Sequence, residues 1–283
     1  MEHSISAAEI RHLQEIALDC RRTILTMTHH AKNGHVGGSL SEIDILVALY
    51  FSVLHIDPAR PDWPERDRFL LSKGHASPGF YTALANRGYF EASLLDTFDA
   101  IDSPLQAHPD MHKCPGVDYS TGSLGQGLSI GVGMAEGAAQ LGMPFKTFVL
   151  LGDGESQEGQ VWEALMYAGV RQVKNLVAIF DYNHVQLSTA LSDGVDLAPL
   201  TDKLRAFRWN VIEARGNDMA SILPALHRAR AESASGPVAV VADTVKGCGV
   251  SFMENRYQWH GKAPNDEQLA QALAELGGDT HAV

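Results

Sequence analysis

Cysteine is scarce in this chain: three in 283 residues, Cys20, Cys114 and Cys248, odd in number and far apart. Neither a disulfide framework nor a paired-cysteine metal site is indicated, and a reducing cytosol fits. Basic charge is also short, with 22 lysines and arginines against 34 acids and a formal net charge of −12. Duplex binding rests largely on basic side chains neutralising phosphates, and no basic run is present, so no nucleic-acid surface is expected. Met1 to Glu15 mixes charges with single apolar residues and lacks the apolar core of a signal peptide. No run is read as long enough to span a bilayer, and no repeat of fixed period is found. The expectation is a cytoplasmic chain with no membrane partner.

What is present is ordinary globular material, 45% hydrophobic and 20% charged, enough for one large α/β domain or two small ones. Apolar spacing from Ser6 to about His30 predicts an amphipathic helix ended by Gly34 and Gly37-Gly38. Ser39 or Ser41 is placed to cap a second helix that reaches Ile56. Phe69-Leu70-Leu71 reads as a short buried strand, with a helix starting near Pro78. Thr147 to Leu151, Leu176 to Phe180, Trp209 to Glu213 and Val238 to Val241 are four more apolar runs separated by helical patterns, as expected of buried parallel strands. Residues 128–141 read as a helix of small residues, which points to close packing. The stretch 103–127, rich in Pro, Gly and Asp, reads as a functional loop or lid. A polar-faced helix closes the chain after Pro264.

The most informative local pattern is Gly152-Asp153-Gly154 directly after one apolar run, with Asn183 thirty positions on at the end of the next. That interval fits one strand-helix-strand crossover, which brings both strand ends to the same sheet edge. A carboxylate and an amide meeting there suit Mg²⁺, which takes oxygen ligands and shares its octahedron with the phosphates of a guest. The plainer alternative is a tight turn in which the glycines supply positive φ and Asp153 caps the following helix.

A helix over 155–169 opens with Glu155, Glu158 and Glu163. Glu155 is most simply a complement to the helix dipole. Glu158 and Glu163 share no tidy exposed stripe, which places them near a sheet edge or a subunit boundary. Four histidines lie in loops beside glycine or proline: His35, His75, His108 and His260. With no HExxH or paired-cysteine spacing, they are read as hydrogen-bond donors and proton carriers, not as zinc ligands.

Taken together, the strings GHVGGSLS (34–41), FLLSKGHASPGFYTAL (69–84), AHPD (107–110), PGVDYSTGSLGQGLSIGVGMA (115–135), GDGESQEGQVWEA (152–164), DYNHVQL (181–187) and KGCGVSFMENRYQWHGKAP (246–264) closely resemble the thiamine-diphosphate-binding half of transketolase. They fall in the family's order. The resemblance implies a doubly wound, mostly parallel sheet with helices on both faces, the pyrophosphate-binding type of thiamine diphosphate fold. It implies a single domain over 1–283, with the motif core at about 35–264, an N-terminal helix in 1–34 and a helical tail over 265–283.

By the same resemblance, Asp153 and Asn183 bind Mg²⁺, or Ca²⁺ or Mn²⁺ in its place, through side-chain oxygens and Val185 through its carbonyl. Gly154 admits the diphosphate, which His75 and His260 also contact. Gly122 and Leu124 pack the cofactor rings, and His35 and His108 face the substrate. Glu158 is given a cofactor-binding and catalytic part, relaying with Glu163 between two sites at a subunit interface. The implied activity is transfer of a two-carbon ketol unit from a ketose, or ketose phosphate, to an aldose.

A full transketolase continues into domains that supply the glutamate on the pyrimidine ring and the basic residues for sugar phosphate. The expectation is therefore an N-terminal subunit working with a separate C-terminal chain, two copies of each. A subunit resembling deoxyxylulose-phosphate synthase and a non-catalytic cofactor-binding subunit stay open as alternatives.

Overall fold

Strands that are apolar along nearly their whole length need cover on both faces, and a parallel sheet between two helical layers supplies it. The computed structural model describes residues 5–277. Within them, β1 (Arg68–Leu71), β2 (Thr147–Gly152), β3 (Leu176–Tyr182), β4 (Asn210–Arg215) and β5 (Val238–Asp243) lie in the order β1-β2-β3-β5-β4. Every pairing among them is parallel. All five strands fall where the apolar runs predict them.

Alternate strand residues point to opposite sides. Phe148, Leu150, Val177 and Ile179 join α1 (Ala7–Ala31), α2 (Val36–Ala48), α3 (Ser77–Arg87) and α7 (Met219–Glu232) in one core. Val149, Leu151, Ala178 and Phe180 join α4 (Gln126–Leu141), α5 (Gly159–Arg171) and α6 (Leu200–Ala206) in the other. The chain crosses from β2 to β3 and on to β4 over the second face, then returns from β4 to β5 over the first. The winding thus reverses between β3 and β5, the position at which open α/β sheets bind ligands outside the carboxyl ends of their strands.

Three boundaries differ from expectation for physical reasons. Helix α2 begins at Val36 with His35 in the N-cap position, not at Ser39 or Ser41. Gly37 and Gly38, expected to terminate α1, form its first turn. A Cβ on Gly37 would lie 2.8 Å from the Trp259 carbonyl oxygen, so glycine lets the helix start slide under the 259–260 loop. The helix expected over 155–169 is broken: a short 3₁₀ turn spans Glu155–Gln157, Glu158 is extended, and α5 starts at Gly159. The tail helix α8 is Asp266–Glu275, with Asn265 and Gln268 in a reciprocal capping box, while positions 278–283 lie outside the described residues, as do 1–4.

One expectation from hydropathy needs correcting. Val36–Val53, which is α2 and the π turn after it, is long and apolar enough by composition to cross a membrane. It is 89% buried within the fold, so its apolar character on all sides answers to the core around it. The small residues of α4 divide in two. A Cβ on Gly131 would meet Val149 at 2.4 Å, confirming close packing on β2, whereas Gly133 and Gly137 face open space.

Candidate active site

The register that pairs Gly152 with Asp181 brings the ends of β2 and β3 out side by side. Asp153 ties them together: one carboxylate oxygen accepts from the Gly154 amide at 2.7 Å and the other from the His184 amide at 2.6 Å. Neither Gly152 nor Gly154 has positive φ, and Asp153 bonds across to the β3 loop and caps no helix, so the simple-turn alternative fails. The glycines serve close approach instead, since a Cβ on Gly154 would sit 3.1 Å from that of Gln186. Asn183 points its amide nitrogen at Asp181, 3.0 Å away, and its oxygen accepts from the Val185 amide at 3.2 Å.

Beneath this pair lies a charged group that sequence reasoning leaves without a role. Lys73, at the end of β1, places its ammonium 2.5 Å from Asp181 and 2.8 Å from Glu42 of α2, with all three side chains buried. Asp181 also accepts from Ser41 and Thr244, and these donors with Lys73 hold its pKa below the carboxylate norm despite burial. Burial pushes Glu42 up to about 8 against the opposing pull of Lys73. A common signal marks Lys73, Asp181 and Lys246: a charged residue at or within a few positions of the carboxyl end of a strand with an apolar middle.

Lys246, in the loop after β5, donates to the Val185 carbonyl and to His260 Nδ1, both at 2.8 Å. Because Nδ1 accepts, the proton of a neutral His260 resides on Nε2. The His35, His75 and His260 rings form a triangle with centroids 4.9 to 5.3 Å apart. Burial, then neighbouring cationic groups, lowers His35 to about 4 and His260 to about 3, and holds His75 well below the ordinary value. At neutral pH each is a neutral imidazole with one donor and one acceptor. His108 lies apart from the triangle on an irregular segment hung from α3, where Ser77 donates to the Ala107 carbonyl at 2.7 Å and Tyr81 to that of Gln106 at 2.9 Å.

These groups enclose a cavity of about 360 Å³. His35, His75, His108, Gly122, Leu124, Asp153, Gly154, Asn183, Val185 and His260 all line it, as do Lys73, Glu155, Gln186, Leu187 and Lys246. Glu158 does not. It is exposed at the N-cap of α5, outside the crevice, and Glu163 is likewise exposed. One wall is open: Leu187 is 68% exposed and nothing among the described residues lies within 4 Å of where a Gly122 Cβ would stand.

Burial, reinforced by Asp181, raises Asp153 to about 6, while burial, and secondarily Lys73, lowers Lys246 to about 8. A buried carboxylate and a buried ammonium that burial drives toward neutrality are each favoured in charged form by an arriving counter-charge. Among the described residues no cluster of three or more His, Cys, Asp or Glu could chelate a metal alone. The oxygens of Asp153, Asn183 and Val185 instead suit a hard cation that shares its shell with an anionic guest, and Lys246 suits that anion.

Such a crevice, outside the carboxyl ends of parallel strands, marks an α/β ligand-binding domain. Residues 14–283 match the model of the transketolase thiamine diphosphate binding domain, and the chain belongs to that family. It is 44% identical over 243 residues to the 6-deoxy-6-sulfo-D-fructose transketolase subunit SqwG of Clostridium sp. (strain MSTE9), covering 86% of this chain and 88% of that one. It is 41% identical to one of the subunits of the apulose-4-phosphate transketolase of Actinobacillus succinogenes, covering 93% and 95% of the two. The crystal structure of Campylobacter jejuni transketolase superposes with a TM-score of 0.89 at 30% identity, over 96% of this chain and 43% of that one. The chain therefore spans under half the length of such a transketolase. The expected α/β class is that of these solved structures, wholly parallel here among the described strands.

Proposed function

We propose that this chain is the N-terminal, cofactor-binding subunit of a two-chain transketolase, active with a separate C-terminal transketolase-type chain in an assembly of two copies of each. The reaction is transfer of a two-carbon ketol unit from a ketose to an aldose. The observation that carries this reading is the crevice joining Asp153 and Asn183 to Lys246 and the three-histidine triangle. Relatives of matching length that are named as transketolase subunits support the division into two chains. The sugars in those names carry a sulfo or a phosphate group, and we assign this chain a ketose of that anionic kind. The cytoplasm is the compartment proposed, on the three free cysteines.

In this reading Asp153, Asn183 and the Val185 carbonyl hold Mg²⁺, with Ca²⁺ or Mn²⁺ as substitutes. Lys246, His75 and His260 face the diphosphate, Gly154 admits it, and Gly122 and Leu124 pack the rings. Bound thiamine diphosphate supplies the carbon nucleophile that no side chain here provides. The protein would position donors: a neutral His260 presents Nε2–H, and His35 and His108 offer hydrogen bonds to substrate hydroxyls and to the ketose carbonyl oxygen, which gains charge when a carbon nucleophile adds to it. Burial keeps the His35, His75 and His260 rings neutral, so each can offer one N–H and one lone pair to a bound group.

With thiamine diphosphate and Mg²⁺, ketose-to-aldose transfer is expected only when this chain is mixed with its C-terminal partner. No transfer in any such mixture, with cofactor still bound, would overturn the activity. In the assembled enzyme His108→Ala is expected to lower kcat by roughly 10²-fold, as for loss of one donor or proton carrier, with cofactor affinity unchanged. Unaltered transfer would remove His108 from the catalytic set.

A further inference from the structure

Glu155 follows the metal-site turn directly, and its position invites a helix-dipole role, yet its carboxylate turns away from the helix after it. It is 3% exposed and gathers donors from three separate segments. One oxygen accepts from Ser72 Oγ at 2.5 Å and from the Gly125 amide at 2.8 Å. The other accepts from the Gly152 amide at 3.0 Å. Each segment carries residues of the crevice: Lys73 and His75 follow Ser72, Gly122 and Leu124 precede Gly125, and Asp153 and Gly154 follow Gly152. The segments also approach closely, since a Cβ on Gly127 would lie 2.4 Å from Ser72 Oγ.

We propose that Glu155 is a positioning residue that clasps the ring-packing loop 122–125 and the 72–75 loop to the metal-site turn, so that the thiamine diphosphate site is formed before the cofactor arrives. The inference rests on the cofactor reading above and adds a residue to it. All three partners are donors, and only an ionised carboxylate offers acceptors alone. Glutamine matches the shape but turns an N–H₂ toward at least one donor, leaving a buried N–H or O–H unpaired. The neighbouring ties of loop 122–125 run elsewhere: the Leu124 carbonyl accepts from Gln160 of α5, and the Thr121 amide donates to the Pro109 carbonyl within the irregular segment.

A merely structural role for Glu155 would lower the stability of the cofactor-free and cofactor-bound forms alike and leave affinity unchanged. A positioning role separates the two, because binding must then restore the loop arrangement. In the assembled two-chain enzyme, Glu155→Gln is expected to raise the dissociation constant for thiamine diphosphate, measured by calorimetry at fixed Mg²⁺, by roughly 10- to 100-fold. The kcat at saturating cofactor should stay within about 3-fold of the parent, since the histidines are untouched. Ser72→Ala removes one donor and leaves the carboxylate two amides; it should weaken cofactor binding in the same direction by roughly 2- to 5-fold. Unchanged affinity in Glu155→Gln overturns the inference, and if that variant does not assemble, unchanged affinity in Ser72→Ala does so. Failure of the parent enzyme to bind thiamine diphosphate would instead overturn the cofactor reading itself.

Discussion

Asp153→Ala is expected to abolish Mg²⁺-dependent binding of thiamine diphosphate, weakening it by at least roughly 10²-fold, as for removal of one partner from a buried charged contact costing about 3 kcal/mol or more. The carboxylate is 2% exposed, and its two oxygens accept from the Gly154 and His184 amides. Alanine therefore removes the only carboxylate of the proposed cation set and unties β2 from the β3 loop. Asp153→Asn separates the two effects: one oxygen still accepts a backbone amide while the charge is lost. Calorimetric titration of the assembled enzyme, with and without Mg²⁺, checks both variants. Retained tight, metal-dependent binding in Asp153→Ala would refute the site.

Lys73→Met should produce the largest loss of stability of any single change at the site. It leaves Asp181 and Glu42 facing each other with no cation, and breaking a buried pair in this way costs on the order of 3 to 5 kcal/mol, or roughly 10 °C in Tm. The pH dependence has a definite sign. A carboxyl whose folded pKa is raised above its unfolded value loses stability as pH climbs between the two, and Glu42 is raised by burial from 4.5 to about 8 even with Lys73 present. Up to about pH 8 the folded parent and the folded variant both keep that proton, so the Glu42 share of the deficit should open as pH rises through about 8, where only the parent has Lys73 to face the ionised carboxylate, while Asp181, held below the carboxylate norm in the parent, opens its share at lower pH. Thermal melts through both intervals test it, and a deficit that shrinks with rising pH would contradict the proposed charge arrangement.

What the sequence makes legible follows from the physics of each element. The strands other than the half-exposed edge strand β4 are legible because burial on both faces writes itself into sequence as apolar runs. Asp153, Asn183 and the loop histidines are legible because polar residues at strand ends stand out against those runs. Glu155 reads as a helix-dipole residue because local sequence cannot reveal that Ser72 and Gly125, 83 and 30 positions away, complete its shell. Gly37 reads as a helix end because its reason, the Trp259 backbone, lies more than two hundred residues on. The helix over 155–169 is misread because its break at Glu158 depends on a 3₁₀ turn that apolar spacing does not encode.

The open wall beside Gly122 and Leu187 has a thermodynamic consequence for a two-chain enzyme. If one ligand completes a surface that the second chain also touches, each raises the other's affinity by the same factor. Thiamine diphosphate then acts as an assembly effector as well as a reactant, and the amount of joined enzyme tracks cofactor supply.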